Sequence, residues 1–250
     1  MSHPIRIAHR GASGKGLAPE NTLAAFRKAL QIGTDAIEMD VHLSKDGHVV
    51  VCHDDTLGRT TDLRGAIKDL TLSQIKQADA GSRFDPSFAG ERVPTLKETL
   101  DLIRDRALAL VEIKPEDITR EVVRVIEADD AAGRVVVQSF HEQVVQDVGA
   151  LNPCIRRALL VSLGAVDIRL TRAARLVERT TQVGADILAL SQSAATPELV
   201  CELHRQHLAL YVWTVDEPDL MNSMIRIGVD GIISNYPDRL KLCTDRLPKT

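Results

Sequence analysis

The stretch "LALVEIKPEDITREVVRVIEADDAAGRVVVQS", residues 108–139, decides the fold. Its ends, "LALVEI" (108–113) and "VVVQS" (135–139), are short runs of aliphatic and β-branched residues without a solvent face. Strands of a parallel sheet covered on both sides read this way. Between them, "DITREVVRVIEADDAAG" (117–133) places its apolar side chains at helical spacing. A strand, an amphipathic helix and a second buried strand form one right-handed crossover unit. The same unit recurs in both directions. Further strands are predicted at "IRIA" (5–8), "AIEMDV" (36–41), "RALLV" (157–161), "DILAL" (186–190), "LALYVWT" (208–214) and "DGIIS" (230–234). Helices are predicted at "ENTLAAFRKALQIG", "TLKETLDLIRD", "HEQVVQDVGAL", "RAARLVERTTQVG", "TPELVCELHRQH" and "DEPDLMNSMIRIG". Asn21, Thr95, Thr196 and Asp216 are the expected N-caps, and Gly33, Gly133, Gly184 and Gly228 the expected stops. Eight strands alternating with helices in 250 residues predict an α/β fold, a (β/α)8 TIM barrel as one domain over 1–250. A doubly wound sheet would want a GxGxxG fingerprint after the first strand, and "HRGASGKGLAPENT" (9–22) does not supply it.

Two departures interrupt the rhythm. After "IEMDV" comes "HLSKDGHVVVCHDD", two alternating runs about Asp46-Gly47, which predicts a β-hairpin after strand 2. A turn centred on that pair would set His53 opposite Asp40. Residues 55–94 are then mostly polar and turn-forming around one short helical piece near 71–78. That is too long for a barrel loop and too poor in core residues for a domain, so a small inserted cap is expected.

Composition narrows the function. The chain is 44% hydrophobic and 26% charged, as a globular protein with a sizeable core would be. A net charge of −4 argues against nucleic acid as a partner, and 3% aromatic residues leave little for base or glycan stacking. Residues 1–20 lack a leader pattern and no 18-residue apolar run occurs, so a cytoplasmic protein without stable membrane insertion is expected. Cys52, Cys154, Cys201 and Cys243 form no CxxC pair and read as reduced thiols.

Catalytic groups of such a barrel sit at the C-terminal strand ends. The first strand ends in His9 and Arg10, the second carries Glu38 and Asp40, the third Glu112 and Lys114, and the hairpin brings His53. Glu38 and Asp40, at i and i+2, share one face, with Ile37, Met39 and Val41 on the other. Two inward acids are costly without a cation, the bland alternative being a solvent-facing edge strand. Three carboxylates without clustered His or Cys suggest a hard ion, Mg²⁺ or Ca²⁺. His9 and His53 beside such an ion suit a general acid and a general base. Arg10 and Lys114 supply positive charge for a phosphoryl group. His3, His42, His48, His141, His204 and His207 read as surface or loop residues.

The ordered set "AHRG", "APENT", "IEMDVHLSKDGHVVVCHD", "GRTTD", "VEIKP", "VWTVD" and "GVDGIISNYP" resembles the glycerophosphodiester phosphodiesterase family over residues 5–240. The resemblance implies a TIM barrel with an insertion after the HD segment and a divalent metal on Glu38, Asp40 and Glu112. It also implies acid/base roles for His9 and His53 and phosphate contacts by Arg10 and Lys114. Small-molecule glycerophosphodiesters would be cleaved to sn-glycerol 3-phosphate and an alcohol, the metal serving as Lewis acid and template. Water and the substrate's own 2-hydroxyl are both candidate nucleophiles, and either histidine can be the acid. Trp213 could wall the glycerol site or pack the rim; Phe140 and Tyr236 are similar cases. The last strand ends in Asn235, where many relatives carry Asp; the amide keeps an oxygen acceptor and no charge. Rival readings are a lysophospholipase D on this fold, a non-catalytic phosphodiester-binding protein, a metal amidohydrolase, which would want His-x-His on the first strand, and a secreted toxin.

Overall fold

A computed structural model describes residues 3–163 and 173–246. Eight parallel strands close into a barrel: β1 (Ile5–Ala8), β2 (Ala36–Leu43), β4 (Leu108–Ile113), β5 (Val135–Ser139), β6 (Arg156–Val161), β7 (Ile187–Ser191), β8 (Ala209–Trp213) and β9 (Gly231–Ser234). Closure is made by β1, which pairs with both β2 and β9. β3 (Val49–Val51) runs antiparallel on β2 as the second arm of the hairpin. Helices connect the strands, beginning with α1 (Leu23–Ile32); the small insertion helix α2 (Leu72–Ile75) follows, then α3 (Leu96–Ile103), α4 (Thr119–Ala128) and α5 (Glu142–Leu151). The remaining described helices are α6 (Ala173–Gln182), α7 (Pro197–Arg205), α8 (Pro218–Ile227) and α9 (Pro237–Thr244). Arg172, the first residue of one predicted helix, lies outside the described residues. No described helix is long and apolar enough to cross a membrane.

Strand alternation divides the apolar side chains into two layers. Outward-facing Ile37, Met39, Val41, Val111 and Ile113 pack with helix residues such as Phe26, Leu100 and Val122. Inward-facing Ile7, Ala36, Leu110, Val136, Ala158, Ile187, Tyr211 and Ile233 fill the barrel. The interior is therefore packed, and residues that follow on the same parity line a cleft at its C-terminal end.

Several details differ from the sequence expectations. Thr22, not Asn21, caps α1, because Asn21 turns its side chain to Asp40. Glu217 precedes α8, since the Asp216 carboxylate is engaged by Asn235. α4 stops at Ala128, and Gly133 sits in a separate tight turn. α9 has no counterpart among the helical patterns, its apolar residues being too few to show a clear stripe. His42 is buried in β2 rather than at the surface. The hairpin register is one residue off that expected: Cys52, not His53, opposes Asp40, donating its N–H to the Asp40 carbonyl at 3.0 Å. The cause is a three-residue loop, Lys45-Asp46-Gly47, ending in the left-handed conformation of Gly47 at φ 82°.

Residues 55–94 are less core-poor than their composition suggests. Leu57, Ile67, Ile75 and Val93 form a small cluster completed by Val50 and Cys52 of the hairpin. The segment draws part of its support from the barrel's own extension, which is how so short a piece stays ordered.

At the bottom of the barrel, Gly231 pairs in register with Tyr211. A Cβ there would lie 2.6 Å from the Tyr211 ring. Gly231→Ala is expected to cost about 1–3 kcal/mol in urea denaturation, and Tyr211→Leu should relieve most of it. An equal cost in both backgrounds would acquit the ring.

Candidate active site

The inward parity of each strand carries past the packed layers to its C-terminal end. It delivers His9 after β1, Glu38 and Asp40 on β2, Glu112 and Lys114 on and after β4, and Gln138 on β5. One cleft is lined by His9, Arg10, Glu38, His53, Glu112, Lys114, Gln138, Phe140 and Trp213 among others. Asp40 is buried beneath them. All the predicted site residues thus meet at one end of the barrel. Phe140 joins them, packed edge-on against Trp213 with centroids 5.6 Å apart. Tyr236 does not; its ring lies under the Arg239 guanidinium.

Glu38, Asp40 and Glu112 each place a carboxylate oxygen within 4.8 Å of the other two. Asp40 is the best compensated. Lys114 Nζ lies 2.9 Å from its Oδ1, Asn21 donates to Oδ2 at 2.8 Å, and Arg10 Nε is 3.4 Å from the same oxygen. Burial drives this carboxyl upward, but Lys114, Arg10 and Asn21 outweigh it and hold Asp40 below its usual value. Glu38 has only the Arg10 backbone N–H at 2.9 Å and the Gln138 amide at 3.4 Å. Burial and repulsion from its two acidic neighbours push it well above the carboxylate range. Burial and the Asp40 charge push Glu112 up to about 7, despite Lys114 at 2.6 Å. Two unwilling carboxylates beside a charged one describe a surplus of negative charge that a divalent cation relieves. The donor set, oxygen only, fits a hard ion such as Mg²⁺ or Ca²⁺.

Arg10 adopts φ 55°, a left-handed conformation that costs a non-glycine residue about 1 kcal/mol. It is retained because it turns the N–H to Glu38 while the side chain spans Asp40 and Glu20.

Both histidines are tethered at Nδ1. His9 Nδ1 lies 2.7 Å from Asn235 Oδ1. The Asn235 amide nitrogen donates to Asp216 at 2.7 Å, so its oxygen must face the ring. Burial and the Arg10 charge press His9 down to about 4. His53 Nδ1 lies 2.7 Å from Asp54 Oδ1, and His42 Nε2 holds the His53 carbonyl at 3.1 Å. Arg59 from the insertion grips Asp54 at 2.6 and 3.1 Å and Glu20 at 3.0 and 2.7 Å. Glu20 in turn accepts from Arg10 at 3.0 Å. An unbroken line of ion pairs, ending in the Asp54–His53 hydrogen bond, therefore joins the carboxylate cluster to His53. Asp54 is readable from its place next to His53, where it can orient the ring or begin the turn, and the 2.7 Å contact bears out the first. Glu20, Asn21, Arg59, Asp216 and Gln138 were missed as site residues, and of these Gln138 alone had a readable signal, a polar side chain at an inward position of an otherwise apolar strand. No described residue of 55–94 lines the cleft; Arg59 is the segment's reach into the site.

Comparison with known proteins gives the family. Residues 9–239 match the model of the glycerophosphoryl diester phosphodiesterase family. The chain belongs to that family. A glycerophosphodiester phosphodiesterase of Caldanaerobacter subterraneus subsp. tengcongensis is 40% identical over 94% of this chain and 95% of the relative. A phosphodiesterase from Oleispira antarctica, solved in complex with the product sn-glycerol-3-phosphate, superposes with a TM-score of 0.86 at 32% identity, covering 97% of both chains. A glycerophosphodiester phosphodiesterase from Agrobacterium tumefaciens gives 0.83 at 30% identity, covering 97% of this chain and all of the other. Membership in the glycerophosphoryl diester phosphodiesterase family makes this chain an enzyme, a phosphoric diester hydrolase.

The Arg59 guanidinium, ahead of His53, holds the Asp54 carboxyl down to about 2 from an ordinary 3.8. Arg59→Met should move Asp54 part of the way back, as read by NMR titration of its carboxyl carbon. A depressed carboxyl stabilises the fold above its ordinary value and loses that contribution as pH falls through the folded one. The stability gap between wild type and Arg59→Met should therefore be full at pH 5 or so and fade between about 4 and about 2. An unmoved Asp54 titration would show that Arg59 does not set its charge.

Proposed function

We propose that this chain hydrolyses glycerophosphodiesters to sn-glycerol 3-phosphate and the free alcohol, with His9 as general base and His53 as general acid. The single observation that carries the reading is the pair of histidines tethered to unlike partners beside three buried carboxylates. His9 donates Nδ1–H to a neutral amide oxygen, which leaves a lone pair on Nε2. That nitrogen lies 3.9 Å from Glu38, at the carboxylate cluster, where a nucleophile's proton would be taken. His53 has a carboxylate behind it, the partner that suits a ring passing a proton outward from Nε2. As the nucleophile's oxygen bonds to phosphorus, its proton moves to His9, the bond to the alcohol oxygen breaks, and that oxygen takes a proton from His53. Arg10 and Lys114, half-buried at the cleft, offset charge on the phosphoryl oxygens. Glu38, Asp40 and Glu112 would hold a divalent cation, which when bound supplies Lewis-acid polarisation of phosphoryl oxygen. The Oleispira antarctica relative with its product supports the substrate class.

The decisive assay is release of glycerol 3-phosphate from glycerophosphocholine. EDTA should abolish it and Mg²⁺ or Ca²⁺ restore it; full activity of Glu38→Ala after exhaustive chelation would remove the metal from the reading. His9→Ala and His53→Ala should each lower kcat by about 10²–10⁴ on the choline ester. On a p-nitrophenyl ester, whose phenolate leaves without protonation, His53→Ala should recover most of its loss and His9→Ala should not. Losses under about tenfold for both variants on both esters would make the histidines bystanders.

A further inference from the structure

Among the described residues, two buried polar atoms of the cleft lining, Gln138 Oε1 and Trp213 Nε1, have neither a hydrogen bond nor an ion-pair partner. Gln138 is only 2% exposed, yet it lines the cavity. It stands in register beside Glu112, and its Nε2 donates to Glu38 at 3.4 Å. Once Glu38 is ionised, as it would be when holding a cation, its carboxylate decides the amide's orientation, because the flipped amide would set oxygen against oxygen. Oε1 is thus the free end, an acceptor without a donor. The indole Nε1–H of Trp213 is the converse, a buried donor without an acceptor in a residue that lines the same cavity. Buried groups of this kind are uncommon in folded proteins, and one at a cleft points to a partner supplied from outside. A cation would suit the amide oxygen but not the indole, and a phosphoryl oxygen would suit the indole but not the amide. Hydroxyl groups, which both donate and accept, suit the two together.

We infer that Gln138 reads the glycerol moiety: its Oε1 accepts a hydrogen bond from one glycerol hydroxyl, while Trp213 Nε1–H donates to a hydroxyl of the same moiety. This rests on the function proposed above and adds which residue distinguishes glycerol from a simpler alcohol on the phosphate.

Binding tests it without turnover. The probes are sn-glycerol 3-phosphate and its two deoxy analogues, each lacking one hydroxyl, titrated by calorimetry into the Mg²⁺-loaded protein. Wild type should bind one analogue roughly ten- to hundredfold more weakly than the parent. Gln138→Met, of similar length but without the acceptor, should lose that factor on the parent and nothing further on that analogue. Equal binding of all three probes by wild type would overturn the inference without any variant. So would equal losses on all three in Gln138→Met, or a tenfold weaker Mg²⁺ affinity in that variant, which would assign Gln138 to the cation. Failure of wild type to bind any of the three, with no glycerol 3-phosphate released in the assay above, would instead fell the proposed function and this inference with it.

Discussion

Everything at this end of the barrel depends on keeping Asp40 charged while it is almost wholly buried. An isolated carboxylate in that position would neutralise itself by taking a proton. Asp40 escapes because Lys114 arrives from the neighbouring strand, Arg10 from the first and Asn21 from the loop after it. Those partners then constrain the rest. Lys114 must also lie against Glu112, and Arg10 must enter the left-handed region to serve Asp40 and Glu38 at once. With two cations committed to three acids, Glu38 and Glu112 carry the unpaid charge. Stability alone would favour apolar residues there; a site that recruits a cation needs the deficit.

The barrel makes this arrangement repeatable. Because inward residues alternate along each strand, the parity that packs Ile7, Leu110 and Val136 in the interior also aims His9, Glu112 and Gln138 into the cleft. The packed layers below hold the strand ends against splaying, so distances such as that between His9 and Glu38 rest on rigid elements rather than on loops. His53 leans more on its neighbours. It follows β3, outside the barrel strands, and its position is maintained by His42 on one side and by the Asp54–Arg59–Glu20 line on the other. The insertion's contribution to the site is thus a brace for one histidine.

How much of this the sequence discloses follows from the range of each interaction. Strand identity and the inward pairing of Glu38 with Asp40 depend on period and parity, which are local, and both are legible. The convergence of His9, Glu38, Glu112 and Lys114 follows from closing the barrel, since strand ends then meet at one rim. Hairpin register is less legible, because a loop of two residues and a loop of three ending in glycine share the same Asp-Gly signal. Contacts such as Arg59 with Glu20 span 39 positions, and no periodicity connects them. Asn21 and Asp216 misled for a related reason. Each has the side chain of a cap, but a partner in the site competes for it, buried Asp40 in one case and Asn235 in the other.

That second pair accounts for the amide at the end of the last strand. Asp216 accepts the Asn235 backbone N–H at 2.9 Å and its side-chain N–H at 2.7 Å, and the Ser234 hydroxyl lies 3.1 Å from it. A carboxylate at 235 would face Asp216 with oxygen against oxygen, and one of the two would have to take up a proton or turn away. Asparagine avoids this because its two ends differ: the nitrogen satisfies Asp216, and the oxygen is left for His9. The negative charge is thereby moved one residue back from the imidazole, while the hydrogen bond that fixes its tautomer is kept. His9 and His53 differ in just this respect, one facing a carboxylate through an amide and the other directly. Two rings of the same residue type are in this way tethered to partners of unlike charge, the asymmetry on which the proposed division into general base and general acid rests.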